Sequence, residues 1–101
     1  MRTLILAAAL LAASPALASR CLLVVDDETK LSGPCQIDRG TMSLTVGGGR
    51  GLTYFAVIQT DTGEAFWNEE RGAGHAHTPL GSVSRTGACW LGRRTRICAW
   101  E

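Results

Sequence analysis

The sequence lacks the spacings that phosphate, zinc and redox sites require. Lys30 is the only lysine, so no G-x-x-x-x-G-K-[ST] run exists, and we interpret the Gly-rich stretch 47–51 as a hairpin tip. The four cysteines form neither a C-x2-4-C zinc knuckle nor a C-x-x-C redox pair, and no serine lies in a G-x-S-x-G elbow. With 101 residues, the chain is also too short for a doubly wound nucleotide-binding fold or a (β/α)8 barrel. We therefore expect no enzyme activity and no cofactor.

Long apolar runs are missing as well, except at the amino terminus. Residues 3–18 are uncharged, follow Arg2 and end in the A-x-A motif at Ala18. This pattern is typical of a secretory signal peptide, and its apolar core is shorter than the ~20 residues of a membrane span. We expect a signal peptide over 1–18 and one small domain over 19–101, without a membrane span, in the periplasm or secreted. Removing Arg2 would leave equal numbers of basic and acidic side chains, so no nucleic-acid partner is expected.

Four cysteines in a small exported domain predict a disulfide framework. Such a domain buries only part of the surface that its unfolded chain exposes, so covalent links contribute to its stability. Three pairings are compatible with the sequence. We favour Cys21–Cys35 and Cys89–Cys98, because each pair brackets a segment with the pattern of a β-hairpin. Facing Cys89 and Cys98 would place Trp90 opposite Ile97, a favourable cross-strand pair.

Short apolar runs alternate with turns about every ten residues, which predicts an all-β fold, a small antiparallel sandwich or barrel. The predicted strands are 21–26, 30–37, 42–46, 52–60, 64–68, 81–86, 88–92 and 96–100. Within them, Met42, Leu44 and Val46 alternate and are expected to face the core. The run 54–58 is continuously apolar and is expected to form a central strand with both faces covered.

The segment 69–79 is the longest predicted loop and contains both histidines, so we expect function there. On an extended chain His75 and His77 would point to the same side and would suit Zn²⁺ or Cu²⁺, given a third ligand. That ligand would come from a nearby carboxylate: Glu69, Glu70 or Asp61. The alternative is that the imidazoles only order the loop. Glu69 and Glu70 are adjacent, so on an extended chain they would point apart.

A basic cluster lies at the predicted tip of the last hairpin, where Trp90 and Trp100 flank Arg93, Arg94 and Arg96. Guanidinium groups beside indole rings suit anionic or carbohydrate ligands such as cell-envelope glycans. The alternative is a solvated turn whose tryptophans are buried on the other face.

Several short motifs resemble a group of small, exported, uncharacterised proteins of alphaproteobacteria. They are Gly33-Pro34-Cys35, Tyr54-Phe55-Ala56, Trp67-Asn68, His75-Ala76-His77-Thr78-Pro79-Leu80-Gly81, Arg85-Thr86-Gly87-Ala88-Cys89-Trp90 and Arg96-Ile97-Cys98-Ala99-Trp100. The resemblance covers most of the domain. It implies a periplasmic or secreted location and no particular activity.

The chain is also loosely similar to the periplasmic inhibitors of C-type lysozyme, which are small disulfide-linked β-barrels. The similarity lies in Tyr54 and Phe66-Trp67, followed by Gly72. The spacing is longer than in that family, and the stretch 68–71 replaces the expected Lys-Gly, so no inhibitory residue is carried over. Against a cationic lysozyme cleft, Glu69 and Glu70 are the physically sensible substitutes.

These observations predict an exported binding or inhibitory module that acts on a protein partner in the cell envelope. The candidate binding residues are Glu69, Glu70, His75, His77, Arg93, Arg94 and Arg96. One alternative is an envelope glycan- or anion-binding structural protein that uses the Arg93–Arg96 tip. Another is a metal-binding protein that uses His75 and His77.

Overall fold

Nine antiparallel strands form a nearly closed barrel in the computed structural model, which describes residues 19–48 and 53–101. The strands are β1 (Arg20–Val25), β2 (Glu28–Pro34), β3 (Gln36–Arg39), β4 (Ser43–Gly47), β5 (Phe55–Gln59), β6 (Glu64–Trp67), β7 (Thr78–Thr86), β8 (Cys89–Gly92) and β9 (Thr95–Trp100). These ranges contain no helix, and hence none that could cross a membrane. The predicted all-β fold is confirmed. The proposed signal peptide and most of the 47–51 tip lie outside the described residues.

The strand order is β2-β1-β9-β8-β7-β6-β5-β4-β3, and β7 belongs to two sheets. Its first half pairs with β6 and its second half pairs with β8. Leu80 is an extra residue in the half that pairs with β6, because Ala65 pairs with Gly81 while Phe66 pairs with Pro79. Gly81 has a φ of 92°, which glycine adopts without a Cβ clash. This bulge bends β7 shortly before its partner changes from β6 to β8.

The chain also bends sharply at Cys35, between β2 and β3. We call this bend and the bulge of β7 the two corners of the barrel. The segment 30–37, predicted as one strand, is divided there because β2 pairs with β1 whereas β3 pairs with β4. A disulfide joins Cys35 to Cys21 in β1, with Cα atoms 5.7 Å apart. This predicted bridge is confirmed, and it ties the corner to the neighbouring strand.

The core lies between the two sheets and consists of side chains that alternate along the strands. Its buried members are Cys21, Leu23, Val25, Leu44, Val46, Ala56, Ile58, Ala65, Trp67, Leu80, Val83 and Ile97. Leu44 and Val46 face inward as predicted. The same prediction for Met42 is wrong, because this side chain is 56% exposed in a bend before β4. β5 is central in its sheet as predicted, and its outward side chains Phe55 and Val57 are half-buried.

The second predicted disulfide, Cys89–Cys98, is also confirmed, with Cα atoms 3.9 Å apart. Trp90 pairs with Ile97 as predicted. Ile97 is buried in the core and Trp90 packs against the core, so the disulfide lies on the outer side of the sheet. Two disulfides in so small a domain are typical of an oxidising compartment outside the cytoplasm.

Candidate functional site

Three described connections meet at one end of the barrel: the β1–β2 turn, the β6–β7 loop and the β8–β9 turn. We call residues 68–77 the Asn68 loop. The predicted 69–79 segment is shorter than expected because Thr78 and Pro79 already belong to β7. Pro79 is tolerated in this strand because it lies at the bulge. Because the β6–β7 loop and the β8–β9 turn lie at the same end of the barrel, the predicted loop and the predicted arginine tip are neighbours.

Asn68 fixes the Asn68 loop to the barrel. Its side chain is 2% exposed. The oxygen accepts a hydrogen bond from the Phe55 amide at 2.7 Å, and the nitrogen donates to the carbonyls of Thr53 at 3.1 Å and Ala73 at 3.0 Å. A buried amide that satisfies its donors and its acceptor in this way holds its partners rigidly. The Asn68 amide also donates to the Phe55 carbonyl at 3.2 Å, so side chain and backbone together attach the loop to the start of β5.

Backbone hydrogen bonds strengthen this attachment. The Gly72 amide donates to the Thr53 carbonyl at 3.1 Å, and the Ala73 amide donates to the Glu70 carbonyl at 2.9 Å. Gly72 has a φ of 89°, a conformation that glycine adopts readily. The loop therefore has a defined shape although its acidic and imidazole side chains are exposed.

Four predicted binding residues line one recess of about 500 Å³ on this loop: Glu69, Glu70, His75 and His77. Glu69 and Glu70 both contribute to its lining, and the chain bends at both residues. The Thr78 hydroxyl donates to Glu69 Oε1 at 3.4 Å. The recess offers carboxylate oxygens to a positively charged group.

The two imidazole rings stack on each other. Their centroids are 5.2 Å apart and their planes are 18° from parallel. Across 19–48 and 53–101, no three His, Cys, Asp or Glu side chains form a group that could hold a metal ion. The structure thus places His75 beside His77 without bringing up the third ligand that a metal site would need.

Arg94, from the predicted basic tip, is engaged by Asp26 in the β1–β2 turn. Its Nε and Nη2 atoms each donate to one carboxylate oxygen of Asp26 at 2.9 Å, and its Nη1 donates to the Pro79 carbonyl at 3.4 Å. The hydrogen bonds between the two side chains lower the pKa of the Asp26 carboxyl and raise the pKa of Arg94. The nearby negative charge of Glu69 raises the pKa of Arg94 further. Arg94 therefore links both turns and the start of β7.

Arg93 and Arg96 differ from Arg94, because no ion pair joins either of them to a carboxylate within the described ranges. Trp90 does not flank them as predicted, since it packs against the core, whereas Arg96 is exposed opposite Leu91. Trp100 lies on the outer side of the sheet with Arg96 and is 44% exposed. The predicted arginine and indole cluster thus keeps only one of its two tryptophans.

A cluster that the sequence did not indicate lies where β2 carries a bulge at Lys30. The Lys30 ammonium is 5.6 Å from the ring centroid of Tyr54 and 5.8 Å from that of Trp67, and the two rings are 5.5 Å apart. Glu28 accepts from Lys30 at 2.8 Å, which raises the pKa of Lys30. Trp67 Nε1 is buried and has no hydrogen-bond partner among the described residues. The sequence signal that could have located this cluster is the solitary lysine within a predicted strand.

Comparison with known proteins gives no significant match, neither to a family model, nor to a curated protein, nor to a solved structure.

Proposed function

We propose that the protein is an exported binding module that uses the Asn68 loop to engage a protein partner in the cell envelope. The observation that carries this proposal is the buried Asn68 side chain, which holds a polar, exposed loop in one shape. A preordered loop loses little conformational entropy on binding, so more of its contact energy appears as affinity. The two disulfides support the same reading, because they make the supporting barrel rigid.

The chemistry of the recess favours a basic partner. Glu69 and Glu70 place two acidic residues in the lining of one recess, which His75 and His77 also line. A lysine or arginine side chain of the partner would make charge-assisted hydrogen bonds there. A C-type lysozyme, with its cationic cleft, is the first partner to test, and inhibition of lysozyme is one form that the proposed function would take.

Export of the chain is part of the proposal. The pattern of residues 1–18 favours a signal peptide, and the two disulfides suit an oxidising compartment such as the periplasm. Expression in a bacterial host followed by amino-terminal sequencing of the periplasmic protein tests this point. Ser19 is the expected first residue, and recovery of the chain only in the cytoplasm would contradict export.

The binding experiment is a calorimetric titration of a C-type lysozyme with the unchanged protein and with Glu69→Gln/Glu70→Gln. We expect the double variant to bind at least about tenfold more weakly, since it loses both charges of the recess. Asp38→Asn/Asp61→Asn is the matched control, because it removes two exposed carboxylates elsewhere. Equal affinity of all three proteins would refute a role for the recess, and absence of binding by the unchanged protein would exclude lysozyme as the partner.

A further inference from the structure

The outer face of the sheet formed by β1, β8 and β9 is separate from the Asn68 loop. Leu23, Val25 and Ile97 are buried in the core, so the residues that alternate with them point outward. Arg96 lies between Val24 and Leu91 in the strand register, and Arg20 lies beside Trp100. The outward residues include Cys89 and Cys98, whose disulfide lies on this side. We call the other outward residues, together with Arg93 at the adjoining turn, the cationic face: Arg20, Leu22, Val24, Leu91, Arg93, Arg96 and Trp100.

The cationic face carries unusually exposed apolar side chains. Leu91 is 40% exposed and Trp100 is 44% exposed, and Met42, outside this face, is the other exposed large apolar residue of the described ranges. Leu22 and Val24, on β1, are half-buried. Each apolar residue is next to an arginine rather than in a separate patch.

The charge of this face is one-sided. The outward positions of β1, β8 and β9 contain no carboxylate among the described residues, and no ion pair engages Arg20, Arg93 or Arg96. The nearest acidic side chains at either end of the face are already paired: Asp26 with Arg94, and Glu101 with Arg39. Asp27 at the turn remains, and it leaves three arginines against one carboxylate.

We propose that the cationic face docks on the surface of an anionic lipid bilayer. Guanidinium groups donate two parallel hydrogen bonds to a phosphate, and an indole ring suits the headgroup region because it has both apolar and polar parts. A soluble polyanion would leave Leu91 and Trp100 in water, whereas the bilayer interface takes up both side chains. This inference goes beyond the proposed function, since none of the residues of the Asn68 loop takes part in it.

The test is flotation of the protein recovered from the periplasm, without residues 1–18, with vesicles of phosphatidylglycerol and phosphatidylcholine, and with vesicles of phosphatidylcholine alone. We expect binding only to the anionic vesicles, and weaker binding as salt rises. Arg93→Gln/Arg96→Gln should weaken it about 25-fold, at about 1 kcal/mol for each arginine. Arg71→Gln/Arg85→Gln removes the same charge outside the face and should change it by less than about threefold.

Tryptophan fluorescence provides a second readout on the same samples. Anionic vesicles should shift the emission to shorter wavelength in the unchanged protein and leave it unshifted in Trp100→Phe, because Trp67 and Trp90 pack within the barrel. Equal weakening by both double variants, or equal binding to neutral vesicles, would overturn the proposal. So would self-association without lipid that Arg93→Gln/Arg96→Gln abolishes, since the face would then join two copies of the chain.

Discussion

The guanidinium group of Arg94 donates two hydrogen bonds of 2.9 Å to the carboxylate of Asp26, although the two residues are 68 positions apart in the sequence. The Asp26 amide in turn donates to the Arg94 carbonyl at 2.8 Å. Asp26 and Asp27 have φ values of 52° and 67°, as in the two-residue turns that fit the twist of a hairpin. The acidic turn and the basic turn therefore act as one structural unit at the end of the barrel that carries the Asn68 loop.

Asp26→Asn should reduce stability at neutral pH and make stability less sensitive to acid. Hydrogen bonds from Arg94 lower the pKa of Asp26 in the folded protein, so its stabilisation is complete above the unfolded pKa and is lost as the pH falls through the lower folded pKa. Asparagine keeps the turn, since it tolerates a positive φ. Urea unfolding from pH 7 to pH 2 should show the two stabilities converging below about pH 4. A difference that stays constant over this range would contradict the assignment.

Asn68→Ala should cost about 2–4 kcal/mol of unfolding free energy, because it leaves the Phe55 amide and the Ala73 carbonyl without their partner and removes one of the two donors to the Thr53 carbonyl. It should also loosen the Asn68 loop, which faster hydrogen exchange of the Gly72 amide would report. Glu69→Gln is the control, since Glu69 is exposed, and it should stay within about 0.5 kcal/mol. A loss below about 1 kcal/mol for Asn68→Ala would show that the loop does not depend on this side chain.

Gly81→Ala should cost about 1–2 kcal/mol, because a Cβ atom disfavours the φ of 92° at the bulge. No atom lies within 4 Å of the added Cβ, so any loss reflects the backbone conformation alone. Gly74→Ala is the matched control, since the space around its Cβ is also open and its φ lies outside the positive range. Thermal unfolding of both variants separates the two effects. Equal midpoints would mean that the bend of β7 does not require glycine.

Replacing each disulfide by two alanines should destabilise the barrel unequally. The sequence separations of 14 and 9 residues imply that each disulfide stabilises the fold by a similar amount, about 3 kcal/mol, by lowering the conformational entropy of the unfolded chain. Cys21 also belongs to the core and its bridge holds the corner at Cys35, whereas Cys89 and Cys98 lie on strands that already pair. We therefore expect the larger loss for Cys21→Ala/Cys35→Ala in urea unfolding at neutral pH. The reverse order would contradict the role assigned to the corner.

Local pattern predicted the strands and both bridges well, because alternation and cysteine brackets are short-range signals. The local sequence pattern does not predict the two corners. The run 30–37 reads as one strand, and only its two different partner strands divide it at Cys35. Thr78 and Pro79 have no apolar alternation, so their pairing with β6 depends on the bulge that tertiary contacts create.

For the candidate site, composition indicated where the polar loop lies but not what holds it. Asparagine is common in loops, and nothing local marks Asn68 as buried, because its partners at 53 and 55 belong to another strand region. Arg94 resembled a ligand-binding residue for the same reason, since the carboxylate that engages it lies at the far end of the sequence. Side chains whose partners are distant in sequence are those that a single sequence reveals least.

The most direct test of the proposed function compares proteins of a periplasmic extract retained on three columns. These carry the unchanged protein, Glu69→Gln/Glu70→Gln and Asp38→Asn/Asp61→Asn, and quantitative mass spectrometry measures each bound set. We expect the first and third columns to retain a basic protein that is reduced about tenfold or more on the second column. Identical sets on all three columns would contradict the claim that the Asn68 loop is a binding surface.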